Sequence, residues 1–531
     1  MKNINSVPGL STADRRDMLG YTHFMRAYAY YRLLLDWGPT LLLGDEIISN
    51  NEELKKYNRE RGTYDECVDY ICNEFEEAAK SLPLMQPVAD FGRPTKGAAY
   101  GLIARLRVYQ ASPAYNGGDE ARRCFGNWKR KSDGAFYINQ TYDEKRWAVA
   151  AAACKRVMDM RKNGNPMYRL HTVESSSETP ALATNVTTDP DYMQPWPVGA
   201  AGIDPFHSYA DMFNGEDVIP SNPEWVWARY SADLTAHTRT SFPAHLGGWN
   251  HCCVTQKVVD AYRMADGRNI DESTPQYPYS ETGFTTAQKK FSGYRLNSGV
   301  YNMYNNREMR FYASIGFSEC FWPMTSTSTV GDYNQTITYY YDSPDGKQSN
   351  LIDFPLTGYV IKKFINPTDA WTGTNAKRLT KAYPMIRYAD ILLMYAEALN
   401  HLTTTHTVQL GGETFTLSRD VNEMRMAFNQ VRHRAGLPGM SVAEAADADK
   451  VQKLIEQERM VELLFENERY YDVRRWGQYE ASESVTMTGM NMDGTKATYY
   501  QRTVPNSNRV GSRVVNRKMM FMPIPNSEIR K

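Results

Sequence analysis

The sequence lacks the short motifs that most catalytic and cofactor-binding sites carry. It contains no GxxxxGK[ST] phosphate loop, no GxGxxG behind a predicted strand, no HExxH and no GxSxG. Its nine histidines are scattered, and none lies three or four residues from another, the spacing that lets two histidines on one helix face share a metal. We therefore expect no enzymatic activity, no cofactor and no metal site.

Cysteine is scarce as well. The seven cysteines form no CxxC pair and no zinc-type spacing, so they indicate neither a disulfide framework nor a metal centre. We expect them to be mostly buried small apolar residues.

The chain also lacks an excess of either charge and any long hydrophobic run. The 61 Lys and Arg residues balance 61 Asp and Glu residues, and no basic stripe favours nucleic acid or an anionic membrane surface. No run approaches the ~18 apolar residues of a membrane helix. Residues 1–17 are polar and do not resemble a signal peptide. We expect no nucleic-acid partner and no membrane-spanning segment.

The sequence does contain helix-forming segments toward both ends. The region between them is rich in aromatic residues and has few long periodic segments. Capping residues and apolar periodicity predict a mainly α fold. Residues 165–380 are rich in Ser, Thr, Asn, Gly, Pro, Tyr and Trp, which predicts long loops and short strands. The predicted helices cover residues 11–36, 63–81, 95–110, 142–162, 384–400, 419–434 and 451–476.

The last of these helices carries the densest charge pattern. It has no Gly or Pro before Gly477, so residues 454–477 predict one unbroken helix. So many charges beside an apolar stripe indicate a helix packed on several sides, whose charges also meet neighbouring segments. Residues three apart predict ion pairs along it: Arg459–Glu462, Glu466–Arg469, Arg469–Asp472 and Asp472–Arg475.

Two carboxylates of this helix, Glu462 and Glu466, are the strongest candidates for catalysis. One turn apart, they have a spacing near that of a retaining glycosidase pair. The flanking Arg459 and Arg469 would hold both ionised, however, and unfit to act as a general acid. The pattern therefore favours structural pairing over catalysis.

The same stretch, ERMVELLFENERYYDVRRWG, resembles the signature helix of the SusD/RagB family of bacterial surface nutrient-binding lipoproteins. Four further blocks resemble the family, in the family's order: RAYAYYRLLLDWGPTLLL at 26–43, ASPAYNGG at 111–118, YPMIRYADILLMYAEALN at 383–400 and FMPIPNSEI at 521–529. The resemblance implies a tetratricopeptide-like helical-repeat scaffold, although the sequence shows no strict 34-residue repeat. We expect scaffold in residues 1–165 and 381–531, and a loop-rich, irregular ligand-binding lobe in residues 166–380.

The resemblance also implies a function, a partner and a location. Such a protein captures oligosaccharide or polysaccharide at the cell surface and delivers it to a SusC-like TonB-dependent transporter of the outer membrane. Family members are lipoproteins, held to the membrane by a lipid-modified cysteine after a signal peptide. The first cysteine here, Cys67, lies deep in the chain, so we expect the anchor and an N-terminal part of the family pattern to lie outside this sequence.

Aromatic residues beside amides in loops are the candidate ligand contacts. Sugar faces stack on Trp or Tyr, while sugar hydroxyls need amide, carboxylate or guanidinium partners. The loop after residue 110 offers this combination, and the resemblance implies that it contributes to ligand contact. The Gly-Gly stretch at 247–248 precedes a second example. The candidates are Tyr115, Asn116, Trp128, Trp196, Trp249, Asn250 and Trp322.

Two other functions stay open at this point. Peptide capture, implied by RagB-type members, would call for a largely apolar, backbone-pairing groove in place of exposed Trp rings. A helical-repeat scaffold that binds only protein would lack a cluster of two exposed loop rings beside Asn116.

Overall fold

The structure is a computed structural model, and it describes residues 3–49, 51–217, 222–230, 232–507 and 513–529. Helices are the main regular structure of these ranges and strands are few, which confirms the mainly α prediction. Eleven of these helices have eight or more residues. They are α1 Thr12–Trp37, α2 Tyr64–Ser81, α3 Lys96–Ala111, α4 Gly118–Phe125, α5 Lys145–Met158, α6 Pro205–Asn214, α7 Ala232–Ser241, α8 Tyr388–Asn400, α9 Val421–Arg434, α10 Ala448–Glu462 and α11 Glu468–Arg475.

Strands are short, and those of three or more residues pair antiparallel, two by two. The pairs are β1 with β6, β2 with β3, β4 with β5, and β7 with β8. The strands are β1 Trp225–Tyr230, β2 Lys289–Phe291, β3 Tyr294–Leu296, β4 Cys320–Trp322, β5 Gln335–Ile337, β6 Ala382–Arg387, β7 His406–Leu410 and β8 Glu413–Leu417.

Local capping sets where the first helices begin. The Ser11 hydroxyl accepts a hydrogen bond from the backbone N–H of Asp14 at 3.1 Å, which starts α1. Thr63 and Glu66 form a reciprocal capping box at the start of α2. Each cap satisfies backbone donors that the first helical turn leaves without a partner, so these boundaries were predictable from sequence.

The helices pack in a chain of neighbours: α1 on α2, α2 on α3, α3 on α5, α5 on α8, and α8 on both α9 and α10. Their buried faces share one hydrophobic cluster. A second cluster is drawn mainly from residues 206–382 and also takes in residues 461 and 490–499. The division of the chain at residues 165/166 and 380/381 stays a prediction. None of the helices in the described ranges has the length and apolarity needed to cross a bilayer.

Three predicted helices differ from the structure. Residues 384–387 belong to strand β6, which pairs with β1, so α8 begins only at Tyr388. Helix α5 is shorter at both ends than the predicted 142–162. Residues 454–477 do not form one helix, because the chain breaks between α10 and α11, where Phe465 and Asn467 take φ angles of 64° and 66°.

Long-range hydrogen bonds explain this break. The Lys363 ammonium donates to the carbonyl oxygens of Glu462 and Leu464 at 3.2 and 2.9 Å. The Arg387 guanidinium also donates to the Glu462 carbonyl, at 2.7 Å. In a continuous helix these carbonyls would accept from N–H groups four residues further on. Side chains from distant segments take that role here and end the helix without Gly or Pro.

The charges of α10 and α11 meet neighbouring segments, as predicted, but only one of the four predicted local pairs forms. Arg475 lies 2.9 Å from Asp472. Arg459 instead pairs with Asp390 of α8 at 2.7 Å and with Asp472 at 2.8 Å. The four residues Arg459, Asp390, Asp472 and Arg475 are buried. The ion pairs therefore join α8, α10 and α11 inside the scaffold.

Glu462 is the centre of a buried ion network. Its carboxylate accepts from Arg310 at 2.8 Å and from Arg387 at 2.7 Å, and it also contacts Arg434. Burial disfavours its charge, but the three guanidinium groups outweigh this and hold its pKa well below the usual range. Glu466 pairs with Lys363 at 2.6 Å and with Arg387 at 2.8 Å. Both carboxylates therefore have structural partners, as the sequence favoured, but these come from distant segments and not from the flanking Arg459 and Arg469.

A related buried pair predicts how stability depends on pH. Burial disfavours ionised Glu397, but two hydrogen bonds from Arg475, at 2.6 and 2.7 Å, lower its pKa from 4.5 to about 2. Since this folded-state pKa lies below the unfolded one, the contribution is complete above pH 4.5 and is lost as pH falls toward 2. The loss is about 3 kcal/mol. In urea unfolding from pH 5 to pH 2, Glu397→Gln should give a shallower fall in stability than wild type. Parallel curves would contradict this assignment.

Candidate functional site

The loop before Trp249 is shaped by two glycines. Gly247 ends a short 3₁₀ turn with a φ of 86°, and a Cβ on it would lie 2.8 Å from Thr372. A Cβ on Gly248 would lie 2.1 Å from the carbonyl oxygen of Phe242. The loop therefore packs closely on both α7 and residues 371–372. This packing holds Trp249 at the surface, where 40% of the residue is exposed.

A second tryptophan lies beside the first, linked by an arginine. The Arg239 guanidinium lies 5.0 Å from the ring centroid of Trp249 and 5.4 Å from that of Trp371. A second guanidinium, that of Arg378, lies 4.5 Å from the ring centroid of Trp371. We call Arg239, Trp249, Trp371 and Arg378 the Trp249 surface.

Hydrogen bonds fix these arginines without neutralising them. Arg239 Nε donates to the Gly247 carbonyl at 2.8 Å, and Arg378 donates to the Ala370 carbonyl at 3.3 Å. Within the described ranges, no carboxylate lies at ion-pair distance from either guanidinium. The indole N–H of Trp371 has no hydrogen-bond partner there either, but this atom is buried. The surface thus keeps two cationic groups for a ligand.

Polar groups of two paired loops border the Trp249 surface. The backbone N–H of Thr374 donates to the hydroxyl of Thr329 at 2.8 Å, which joins the loop after Trp371 to the loop after β4. Asp332 lies against Gly373, since its Oδ2 is 2.8 Å from where a Cβ on that glycine would stand. Exposed Asn375 adds an amide. Rings, guanidinium groups, an amide and a carboxylate are the groups that bind the faces and hydroxyls of sugars.

The first predicted loop is packed into the scaffold. Tyr115 is buried and stacks on Tyr64, with ring centroids 4.4 Å apart. Asn116 is 0% exposed, and its amide donates to the carbonyls of Ala111 and Asp143. Trp128 is half-buried against Tyr137, with centroids 4.7 Å apart. Two exposed rings beside Asn116 are not found among the described residues of this loop, which is the outcome that a helical-repeat scaffold binding only protein would give. The candidate ring that is exposed lies elsewhere, at Trp249.

The other predicted residues are also engaged in packing. Asn250 is buried and donates to Asp345 at 3.0 Å, which supports the loop behind Trp249. Trp322 is 0% exposed and packs edge-on against Phe242. Trp196 is half-buried between two hydrophobic clusters. Trp249 is therefore the predicted ring that the structure places at the surface, and ligand contact by all seven predicted residues stays a prediction.

Sequence reasoning missed three members of the surface: Trp371, Arg239 and Arg378. Trp371 stands in WTGTN, a ring followed by small polar residues and an amide. That is the same ring-plus-amide signal that singled out Trp249, so it could have been found. The arginines gave no such signal, because only the fold brings them against the rings.

Comparison with known proteins assigns the family. The model of the SusD family matches residues 223–531, more than half of the chain, and a second model, described as starch-binding associating with outer membrane, matches residues 2–109. The chain therefore belongs to the SusD family.

Individual relatives agree with this assignment. SusD-like protein P2 of Formosa agariphila is 31% identical over 108 residues, a match covering 19% of this chain and 18% of that relative. The solved structure of BT4246 covers 100% of this chain and 85% of its own, with a TM-score of 0.75 and 21% identity. A SusD-like carbohydrate binding protein from Bacteroides fragilis gives 0.62 and 17%, covering 100% and 82%. These structures confirm the predicted SusD-like fold.

Proposed function

We propose that this protein captures glycan, without making or breaking bonds, and that the Trp249 surface is where the glycan binds. The observation that carries the proposal is the exposed Trp249 ring beside Arg239, Trp371 and Arg378, with no carboxylate paired to either arginine in the described ranges. The carbohydrate binding named for the Bacteroides fragilis neighbour supports it. Ring stacking would supply most of the binding energy, and the polar groups would fix orientation.

Delivery of the glycan forms the second part of the proposal. Family membership supports a SusC-like TonB-dependent transporter as the partner and the outer membrane as the location. We expect attachment to that membrane as a cell-surface lipoprotein. Purification of the protein from outer membranes, with mass spectrometry of the membrane proteins that co-purify, tests this part. Recovery of the lipoprotein without any transporter would contradict it.

Glycan capture is tested by affinity electrophoresis through native gels that contain soluble neutral or acidic polysaccharides. Retardation of the wild-type chain by at least one polysaccharide is expected, with a Trp128→Ala variant run beside it. Equal retardation of that variant would place binding away from the 115–128 loop and support the Trp249 surface. Loss of retardation in Trp128→Ala would move the site to that loop. If no polysaccharide retards the wild type, while a peptide library yields a ligand, the peptide-capture alternative replaces glycan capture.

A further inference from the structure

A cleft lies beside strand β1, and none of its lining residues belongs to the Trp249 surface. It has a volume of about 390 Å³ and is enclosed by β1, by residues 84–95, and by the hairpin of Arg161–Lys162 with Asn165–Pro166. A volume of this size falls within the range of small-molecule sites. We call it the β1 cleft.

Aromatic rings form part of the wall of the β1 cleft. Phe91 and Trp225 both line it, with ring centroids 5.8 Å apart. Trp225 is 7% exposed, and its indole N–H has no hydrogen-bond partner among the described residues. The neighbouring Trp227 also lines the cleft, but its N–H donates to the Gly92 carbonyl at 2.9 Å. Trp225 therefore keeps a buried donor that an oxygen of a ligand would satisfy.

Amide side chains supply further polar groups at the opening. Asn163 and Asn165 stand on the exposed hairpin, and neither side chain takes part in a hydrogen bond within the described ranges. Gln86 is held in place, since its amide donates to the Pro94 carbonyl at 2.7 Å. Rings below and amides at the rim match the faces and hydroxyls of a sugar unit.

The charged side chains that line the β1 cleft are all basic. Arg93 and Lys162 line it, and none of its lining residues is Asp or Glu. Arg93 pairs with Asp90 at 3.2 Å, but no carboxylate of the described residues lies at ion-pair distance from Lys162, whose ammonium is 2.7 Å from the Met85 sulfur. An adjoining groove shares Met85, Gln86 and Arg93 with the cleft, but its three basic residues, Arg16, Lys80 and Arg93, are balanced by Asp14, Asp17 and Asp90. Negative charge on a ligand is thus favoured more in the cleft than in the groove.

We propose that the β1 cleft is a second saccharide site, specific for a sugar unit that carries a negative charge. The sugar face would lie against Phe91 and Trp225, a ring or hydroxyl oxygen would accept from the Trp225 N–H, and the anionic group would face Lys162. This proposal rests on the proposed glycan capture and adds the ligand's charge class to it. Carboxylated and sulfated sugars share the required chemistry.

The test uses trisaccharides that differ in the presence and the kind of the charged group. Tri-galacturonate, its fully methyl-esterified form and a sulfated galactose trisaccharide are titrated into the protein by calorimetry at low salt. The wild type should bind the carboxylate or the sulfate ligand, with an affinity that falls as NaCl is added, because exposed ion pairs are screened. Lys162→Gln should weaken that binding roughly fivefold and leave any binding of the ester unchanged. Preference for the carboxylate over the sulfate, or the reverse, identifies the source of the charge.

A matched variant tests whether the effect of Lys162→Gln is local to the cleft. Lys450→Gln, an exposed lysine outside the lining of the cleft, should leave affinity for the anionic ligand unchanged. Trp225→Phe, which keeps a ring and removes the donor, should weaken it several-fold. Equal affinities for acid and ester, or no effect of Lys162→Gln, would overturn the proposal while leaving glycan capture intact if neutral polysaccharides bind. Absence of binding by every saccharide would overturn both.

Discussion

Replacing Glu462 by glutamine is expected to lower the free energy of unfolding by about 3–5 kcal/mol. The substitution keeps the shape of the side chain and removes its charge. Arg310, Arg387 and Arg434 would then lose the carboxylate that all three contact at the centre of the network. All four residues are buried, so water cannot solvate the guanidinium groups in its place. Each arginine keeps another carboxylate, Glu458 for Arg310, Glu466 for Arg387 and Glu224 for Arg434. The cost therefore comes from removing the one negative charge that the three buried guanidinium groups share.

Glu456 provides a matched control on the same helix. Its carboxylate accepts hydrogen bonds from the amides of Gln452 and Gln478 at 3.0 and 2.8 Å. Burial raises its pKa, so replacing the carboxylate by a neutral amide relieves a desolvation cost, and Glu456→Gln should cost less than about 1 kcal/mol. Urea unfolding of both variants, followed by circular dichroism, compares them with wild type. Equal stability of the two variants would show that the Glu462 network contributes no more than an ordinary side chain.

Replacing Trp249 by alanine is expected to weaken glycan binding about 30-fold, equivalent to roughly 2 kcal/mol of binding free energy. The substitution removes the exposed ring and leaves Arg239 with one tryptophan neighbour in place of two. Stability should change little, because the Trp249 ring is not part of a hydrophobic cluster. Calorimetric titration with the polysaccharide that gives the strongest gel retardation measures the change.

Trp37→Ala is the matched control for this prediction. Trp37 is 39% exposed, almost the same fraction as the 40% of Trp249, and it ends helix α1. Affinity should be unchanged in this variant. If both variants bind as wild type does, the Trp249 surface is not the glycan site. If both variants weaken glycan binding equally, the loss of affinity does not arise from contact between the Trp249 ring and the glycan.

The fold was predictable where local chemistry determines it. Ser11 and Thr63 cap their helices with bonds inside one turn, and the sequence contains both partners. The break between α10 and α11 was not predictable in this way. Its carbonyls are satisfied by Lys363 and Arg387, and nothing within the helix itself indicates that these side chains arrive there.

The candidate site was predictable in part, for a similar reason. A tryptophan in a Gly-Gly loop can be recognised from sequence, as Trp249 was, but its exposure depends on what packs against it. Trp322 also stands outside the predicted helices, and Phe242, together with the rest of the second cluster, buries it completely. Ring-plus-amide patterns therefore identified candidates, while tertiary packing decides which rings reach solvent.

The Glu462 network also has a consequence for the order in which the chain is made. Glu224 and Arg310 leave the ribosome long before Glu462, and Arg105, which pairs with Asp390 at 2.6 Å, leaves earlier still. Until the last part of the chain emerges, these arginines cannot be buried at low cost. The interior can therefore be completed only after the C-terminal helices have been synthesised. A nascent chain that ends before α10 remains accessible to chaperones and proteases.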